Sequence, residues 1–392
     1  ECGGDGTSCV TTIDYCLDLH SGANLKSFYA LPEDDLSVEN IMSPLGDNIL
    51  GVITEGGACS QSPIGWVGQC SINRSKGYWI ILQDDDQLCI EDGIATDTNL
   101  EYSIHSGANL ISFPSSGSVN TSAGLPDEIE DLVNGVITEG GACSQSPIGW
   151  VGQCSFVAGK GYWLIASDDF SFSFDLSTLS RLVNHEMMLA YPDGFIFSQS
   201  TRQAFYFIED VILENDLITS NDWILIYNDK TLVGARKWDG AYTNVPAMGN
   251  DEYLLLDNYC EFGDDLQIKI LQEATGKYYQ VMESIPSWKD NNIIFVGKIT
   301  AYELPTKALI TSVYPNPFNP ITNIAFGINK ESYVKVIIYD ILGKEIIQLA
   351  NGSYLAGYHN LIWNADKYSS GMYFLSIESN GVKNIQKLML LK

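Results

Sequence analysis

The chain has 392 residues, 45% of them hydrophobic; that supports packed cores in two to four domains and rules out wholesale disorder. Lysine and arginine number 21 against 49 acidic residues, a net charge of −28, so phosphate backbones and anionic lipid surfaces are repelled and neither nucleic acid nor a membrane surface is expected as a partner. No apolar run reaches the roughly 18 residues of a spanning helix.

The nine cysteines include no CxxC pair, and the four histidines leave little material for zinc or acid–base chemistry. Residues 1–16 form an arm whose Cys2 and Cys9 can close a loop on each other. The chain starts at Glu1, and we expect a signal peptide or further chain upstream of it.

Two repeats follow, at 17–92 and 100–175. GVITEGGACSQSPIGWVGQC at 51–70 recurs letter for letter at 135–154, HSGANLKSF is matched by HSGANLISF, and KGYWII by KGYWLI. Alternating apolar and polar residues between Gly, Ser and Asn predict strands, clearest at 25–28, 51–54 and 78–82. One short helix per copy is expected, at 38–44 and 126–133, the latter with Asp127 and Glu128 in its first turn. Cys59 and Cys70, and likewise Cys143 and Cys154, stand eleven apart in each copy. Cys16 and Cys89 flank the first copy only, their counterparts being Glu101 and Ser173. Loop-spaced thiols without a redox motif predict three disulfides made outside the cytoplasm, against the competing reading of buried free thiols.

Trp66, Trp79, Trp150 and Trp163 form a candidate contact surface that could stack on sugar rings; the competing reading makes the KGYW tryptophans core residues. His20 and His105 precede Ser-Gly-Ala-Asn in both copies, where a turn hydrogen bond accounts for them. Glu55 and Glu139, beside Gly-Gly turns, could cap a turn or hold an ion.

Residues 176–303 change texture, with strands expected at 204–208, 223–227 and 266–271 and a β-sandwich as the fold. Asp216, Asp222, Asp229, Asp239 and Asp251 mark turns; calcium is the cofactor they could hold, although no DxDxDG loop is present. Adjacent acids such as Asp84–Asp85 and Asp264–Asp265 point to opposite faces of a strand and cannot face each other across a glycosidic bond. His185 with Glu186 is a thin candidate for hydrolysis, and no enzyme is expected.

The segment 308–392 opens on Tyr314, Pro315, Asn316, Pro317, Phe318, Asn319 and Pro320, whose prolines forbid helix and predict an extended lead-in. Strands are expected at 322–328, 334–339, 345–349, 358–363, 371–378 and 382–390, the pattern of an immunoglobulin-like sandwich. The fold class is therefore mainly β: tandem small β-rich modules, a β-sandwich and a terminal immunoglobulin-like β-sandwich.

Several motifs carry resemblances. YPNPFNPIT, VIIYDILGKEI, LAGYHNLIW, SSGMYFLSI and the ending QKLMLLK resemble the type A sorting domain of type IX secretion, with Gly343, Gly357 and Gly371 at its turn positions and Lys387 and Lys392 in its basic tail. The opening ECGGDGTSC, the repeat motifs SGANLISF, GVITEG, IGWVGQC and KGYW, and the middle stretches at 198–210 and 221–253 resemble modules of surface proteins of Bacteroidota-like bacteria that use this pathway. The resemblance implies export by the type IX machinery and a place outside the cell or on its surface. Repeats, acidity and disulfides then suggest a structural or adhesive protein that assembles with copies of itself into a filament or layer. The alternative is a carbohydrate-binding array that takes surface glycans.

Overall fold

The computed structural model describes the chain except residues 1–10, 64, 69, 153–154, 181–190, 215, 252–253, 255, 257, 305–308, 329–330 and 355–356. The described residues are mostly strands with a few short helices. Two compact units result: one of Glu1–Ile212, Ile218–Lys269 and Glu283–Ile299, the other of Leu213–Leu217, Ile270–Met282 and Thr300–Lys392.

In the first unit each repeat builds the same five-stranded sheet. In the first copy the order is Gly22–Ser27, Gly77–Leu82, Ile49–Thr54, Gly57–Ser62, Gly65–Gly68; in the second it is Gly107–Ile111, Tyr162–Ala166, Val133–Thr138, Gly141–Ser146, Gly149–Gly152. Each sheet lays one face on its own core. Phe28, Val52, Tyr78 and Ile80 centre the first, and Phe113, Val136, Phe156 and Leu164 the second. The predicted helix at 38–44 forms over Val38–Met42, capped by the Ser37 hydroxyl, and then tightens into a 3₁₀ turn over Ser43–Asn48. The one expected at 126–133 is shorter, Asp127–Glu130, because Val133 already belongs to a strand paired with the KGYW strand; an unforeseen turn of helix at Thr121–Gly124 precedes it.

Cys16 and Cys89 sit directly opposite each other on the antiparallel strands Thr12–Leu19 and Asp86–Ala95 and are joined as a disulfide. The first of these strands crosses the boundary expected at residue 16. Cys59 and Cys70 are also joined. Cys143 is buried in its core; its expected partner Cys154, like Cys2 and Cys9, lies outside the described residues.

In the middle region Gln203–Leu213 pairs with Thr243–Met248, and Trp223–Asn228 with Thr231–Lys237. The region docks on the second repeat through Phe205 and Phe207, which pack on Ile137 and Ala142. Arg236 reinforces the contact by donating to the carbonyls of Asn244 and Gly140; burial lowers its pKa to about 10.

The second unit contains the carboxyl-terminal module. A three-stranded sheet (Leu309–Tyr314, Ile321–Ile328, Gly357–Asn364) and a four-stranded one (Glu345–Tyr354, Ser332–Tyr339, Gly371–Ser379, Val382–Leu390) enclose Trp363, Phe318, Ile338 and Leu375. The strand at 309–314 was not foreseen. Beyond it the prolines bend the chain instead of extending it, with cis bonds before Pro315 and Pro317. The unit also takes in the hairpin above the module: Tyr358 donates its hydroxyl hydrogen to the Glu303 carbonyl, and Leu304 N–H donates to the Tyr278 carbonyl.

Candidate functional site

The duplicated residues meet one another. Gly22–Ser27 and Gly107–Ile111 are the outer strands of their sheets, and each turns its exposed backbone toward the other copy. Leu25 N–H donates to Glu139 Oε2 at 2.8 Å and Leu110 N–H to Glu55 Oε2 at 3.1 Å. The second oxygens lie 2.7 Å from His20 Nε2 and 2.6 Å from His105 Nε2. Two glutamates from the TEGG turns thus cap two sheet edges that would otherwise present unpaired donors. Ser27 N–H donates to Gly159 O and Ser112 N–H to Ser75 O, completing a pseudo-twofold seam. Glycine is required in KGYW for this approach: a Cβ on Gly77 would stand 2.9 Å from Ile111 O, and one on Gly161 would stand 2.8 Å from Lys26 O.

The surroundings of both histidines favour the imidazolium form. Nδ1 lies 2.7 Å from Ser21 O in one and 2.8 Å from Ser106 O in the other. A carbonyl only accepts, so Nδ1 carries a proton; Nε2 faces a carboxylate and must carry one too. His20 is raised from its ordinary 6.5 by the hydrogen bond to Glu139, against burial and Lys26. His105 is raised by its bond to Ser106 O and by Glu55, with Asp169 adding to the effect. Burial works against ionised Glu55 and Glu139. It is outweighed by bonds from His105, Leu110 N–H and Lys76 in one case, and in the other by those from His20 and Leu25 N–H together with the Lys26 charge; both fall below the ordinary 4.5.

The raised histidines contribute stability that is complete below their ordinary value of 6.5 and is lost as pH rises through the raised pKa. The lowered glutamates contribute stability present above 4.5 and lost as pH falls through theirs. Thermal unfolding across pH 3–9 should therefore show the seam strongest in mildly acidic buffer, and His20→Gln with His105→Gln should flatten the alkaline limb. Glu139→Ala leaves the Leu25 N–H and the imidazolium without their acceptor. With Glu139 at 20% exposure and His20 at 45%, we expect a loss of about 2 kcal/mol in denaturant unfolding.

The four tryptophans do not form an outward surface. Trp79 is 1% exposed; with Ala23, Leu25 and Leu110 it fills a cluster between the copies, joined by Trp163. Trp66 packs on the first core and Trp150 on the second, the Trp150 indole donating to Glu130. The expected contact surface is corrected accordingly, because large aromatics are the readiest filling for small cores. What the outer hairpins expose includes apolar side chains: Val67 is exposed, and Ile148 is 70% exposed.

Beside the His20–Glu139 pair lies a cavity of about 830 Å³. The middle-region aspartates serve turns: Asp222 accepts from Thr219, and Asp251 accepts from Thr201. Among the described residues no three His, Cys, Asp or Glu side chains converge as a metal-binding group. His185 and Glu186 lie outside the described residues.

In the terminal module the proline-rich motif is fastened to the last strand. Asn316 donates from Nδ2 to Lys387 O and accepts from Met389 N–H, both at 2.9 Å. Phe318 N–H donates to Met389 O, and its buried ring meets Trp363 with centroids 5.1 Å apart. Thr322 Oγ1 donates to Pro315 O. Tyr314, Asn316, Pro317, Asn319 and Lys387 remain exposed. Gly343 takes φ +79° in a turn closed by Asp340, and Gly357 and Gly371 also have positive φ. Lys392 bonds to the Ser370 side chain and the Asp366 carbonyl.

Residues 312–391 match the family model described as the secretion system C-terminal sorting domain. The terminal module is a type IX sorting domain. That indicates secretion to the cell surface or beyond it and handling by the type IX machinery. No helix of the described residues is long and apolar enough to cross a membrane. No curated protein matches the sequence. Solved structures similar to parts of it are weakly related. A titin A168–A169 structure is 8% identical, covering 48% of this chain and 98% of that one at a TM-score of 0.16. The four N-terminal Ig domains of Dscam1 are 11% identical, covering 86% and 82% at 0.16. Dimeric latent PorU from Porphyromonas gingivalis is 9% identical, covering 95% of this chain and 30% of that one at 0.17. At such scores the overlays bear on neither fold nor function. In the sorting domain itself, the Asn316 clasp and the buried Phe318 explain why the proline motif and the basic ending, some 70 residues apart, occur together: each closes the other.

Proposed function

We propose that the protein is a non-enzymatic structural or adhesive component of the cell exterior, exported through its sorting domain and joined to copies of itself. The observation that carries this reading is the seam. His20, Glu55, His105 and Glu139, the duplicated residues best equipped for acid–base work, are engaged in holding the repeats together. What the outer hairpins offer is apolar contact at Val67 and Ile148. A net charge of −28 keeps such a protein soluble until its contacts are made. Negative-stain microscopy and light scattering of native material test this. Ordered polymers, weakened by Ile148→Asp, are the expected result; a monomer at every concentration that also fails to hold cells to a surface would contradict it.

A further inference from the structure

The cavity beside His20 has features the seam does not require. Its wall comes from the first repeat, from Glu139, Gly140 and Lys160 of the second, and from Tyr191, Phe197 and Gln199 of the middle region. Tyr191 is 42% exposed and is backed edge-on by buried Phe197, with ring centroids 5.9 Å apart. Gln199 is 6% exposed; its Nε2 donates to Ser200 O and Gln203 Oε1, while its Oε1 has no partner among the described residues. Lys26 and Lys160 bring ammonium groups, and Asp18, Asp85, Asp86 and Glu139 bring carboxylates, which outnumber them. A space of about 830 Å³ falls in the range of small-ligand sites.

We propose that this cavity binds a saccharide unit bearing no acidic group. Hydroxyls both donate and accept, so one ligand can give a hydrogen to an aspartate and take one from Lys26. The C–H face of a pyranose suits the Tyr191 ring, and the cavity's carboxylates repel anionic ligands. The site is independent of self-assembly, since neither Val67 nor Ile148 lines it.

The test is ligand-observed NMR on the full chain with glucose, galactose, glucosamine and glucuronate. We expect saturation transfer to at least one of the first three and none to glucuronate. Tyr191→Ala should weaken binding on the order of tenfold. Lys26→Gln is a second probe should the first disturb folding. Asp169→Asn, at the equivalent of Asp85 in the other copy, should leave binding unchanged. No transfer to any of the four, preference for glucuronate, or binding indifferent to both cavity variants would overturn the assignment. Polymerisation is scored separately on the same samples.

Discussion

Replacing Trp79 with alanine should lower the unfolding free energy by about 4 kcal/mol, the cost of a large aromatic removed from a close-packed site. The residue is 1% exposed and touches both copies. The cavity left behind would therefore open in the cluster between the copies and loosen the seam. Trp79→Phe should cost far less, because the indole Nε1–H has no hydrogen-bond partner among the described residues and only packing area is lost. Trp66→Ala should fall between neutral and about 2 kcal/mol, since that side chain is half-buried. Denaturant titration of the three variants would check the order, and equal losses for Trp79 and Trp66 would disprove it.

The second large effect is expected from the Cys16–Cys89 bridge. It closes a loop with a sequence separation of 73, and on the chain-entropy account its removal costs about 4 kcal/mol. Cys16→Ala with Cys89→Ala keeps the strand pairing from Tyr15 to Leu19, so the loss should come mainly from the unfolded state. Hydrogen exchange gives a sharper readout. Amides of the first repeat should lose protection, while those of the second, where Glu101 and Ser173 replace the cysteines, should change little. Uniform loss over both copies would mean that they unfold as one unit.

Much of the fold was legible because the chain states it twice. Strand positions, the stapled loops and the bridged cysteines of the first copy follow from alternation and from spacing. The terminal module was legible because turn glycines and prolines punctuate it. The seam was not. His20 and Glu139 are 119 residues apart, and nothing in HSGAN or TEGG says that one will reach the other. The duplication itself was the usable signal: identical residues in two copies can complement each other across a twofold axis. The tryptophans invited a sugar-binding reading because composition does not reveal which face of a strand is covered. The join near residue 303 was also hidden, since the Tyr358 hydroxyl of the sorting domain donates to the Glu303 carbonyl of the preceding strand and leaves no mark in composition. The cavity depends on residues from three parts of the chain, and no local pattern announces it.

The two repeats form one interlocked body, not separate modules on a string. This can be tested by placing a protease site in the exposed link around Asp97, cutting the purified full-length chain and passing it over a sizing column at pH 6. The interlocked seam predicts that the severed first repeat stays with the rest and separates only when Glu55→Ala and Glu139→Ala are introduced together. Release of the first repeat from the unmutated protein on cutting alone would contradict it.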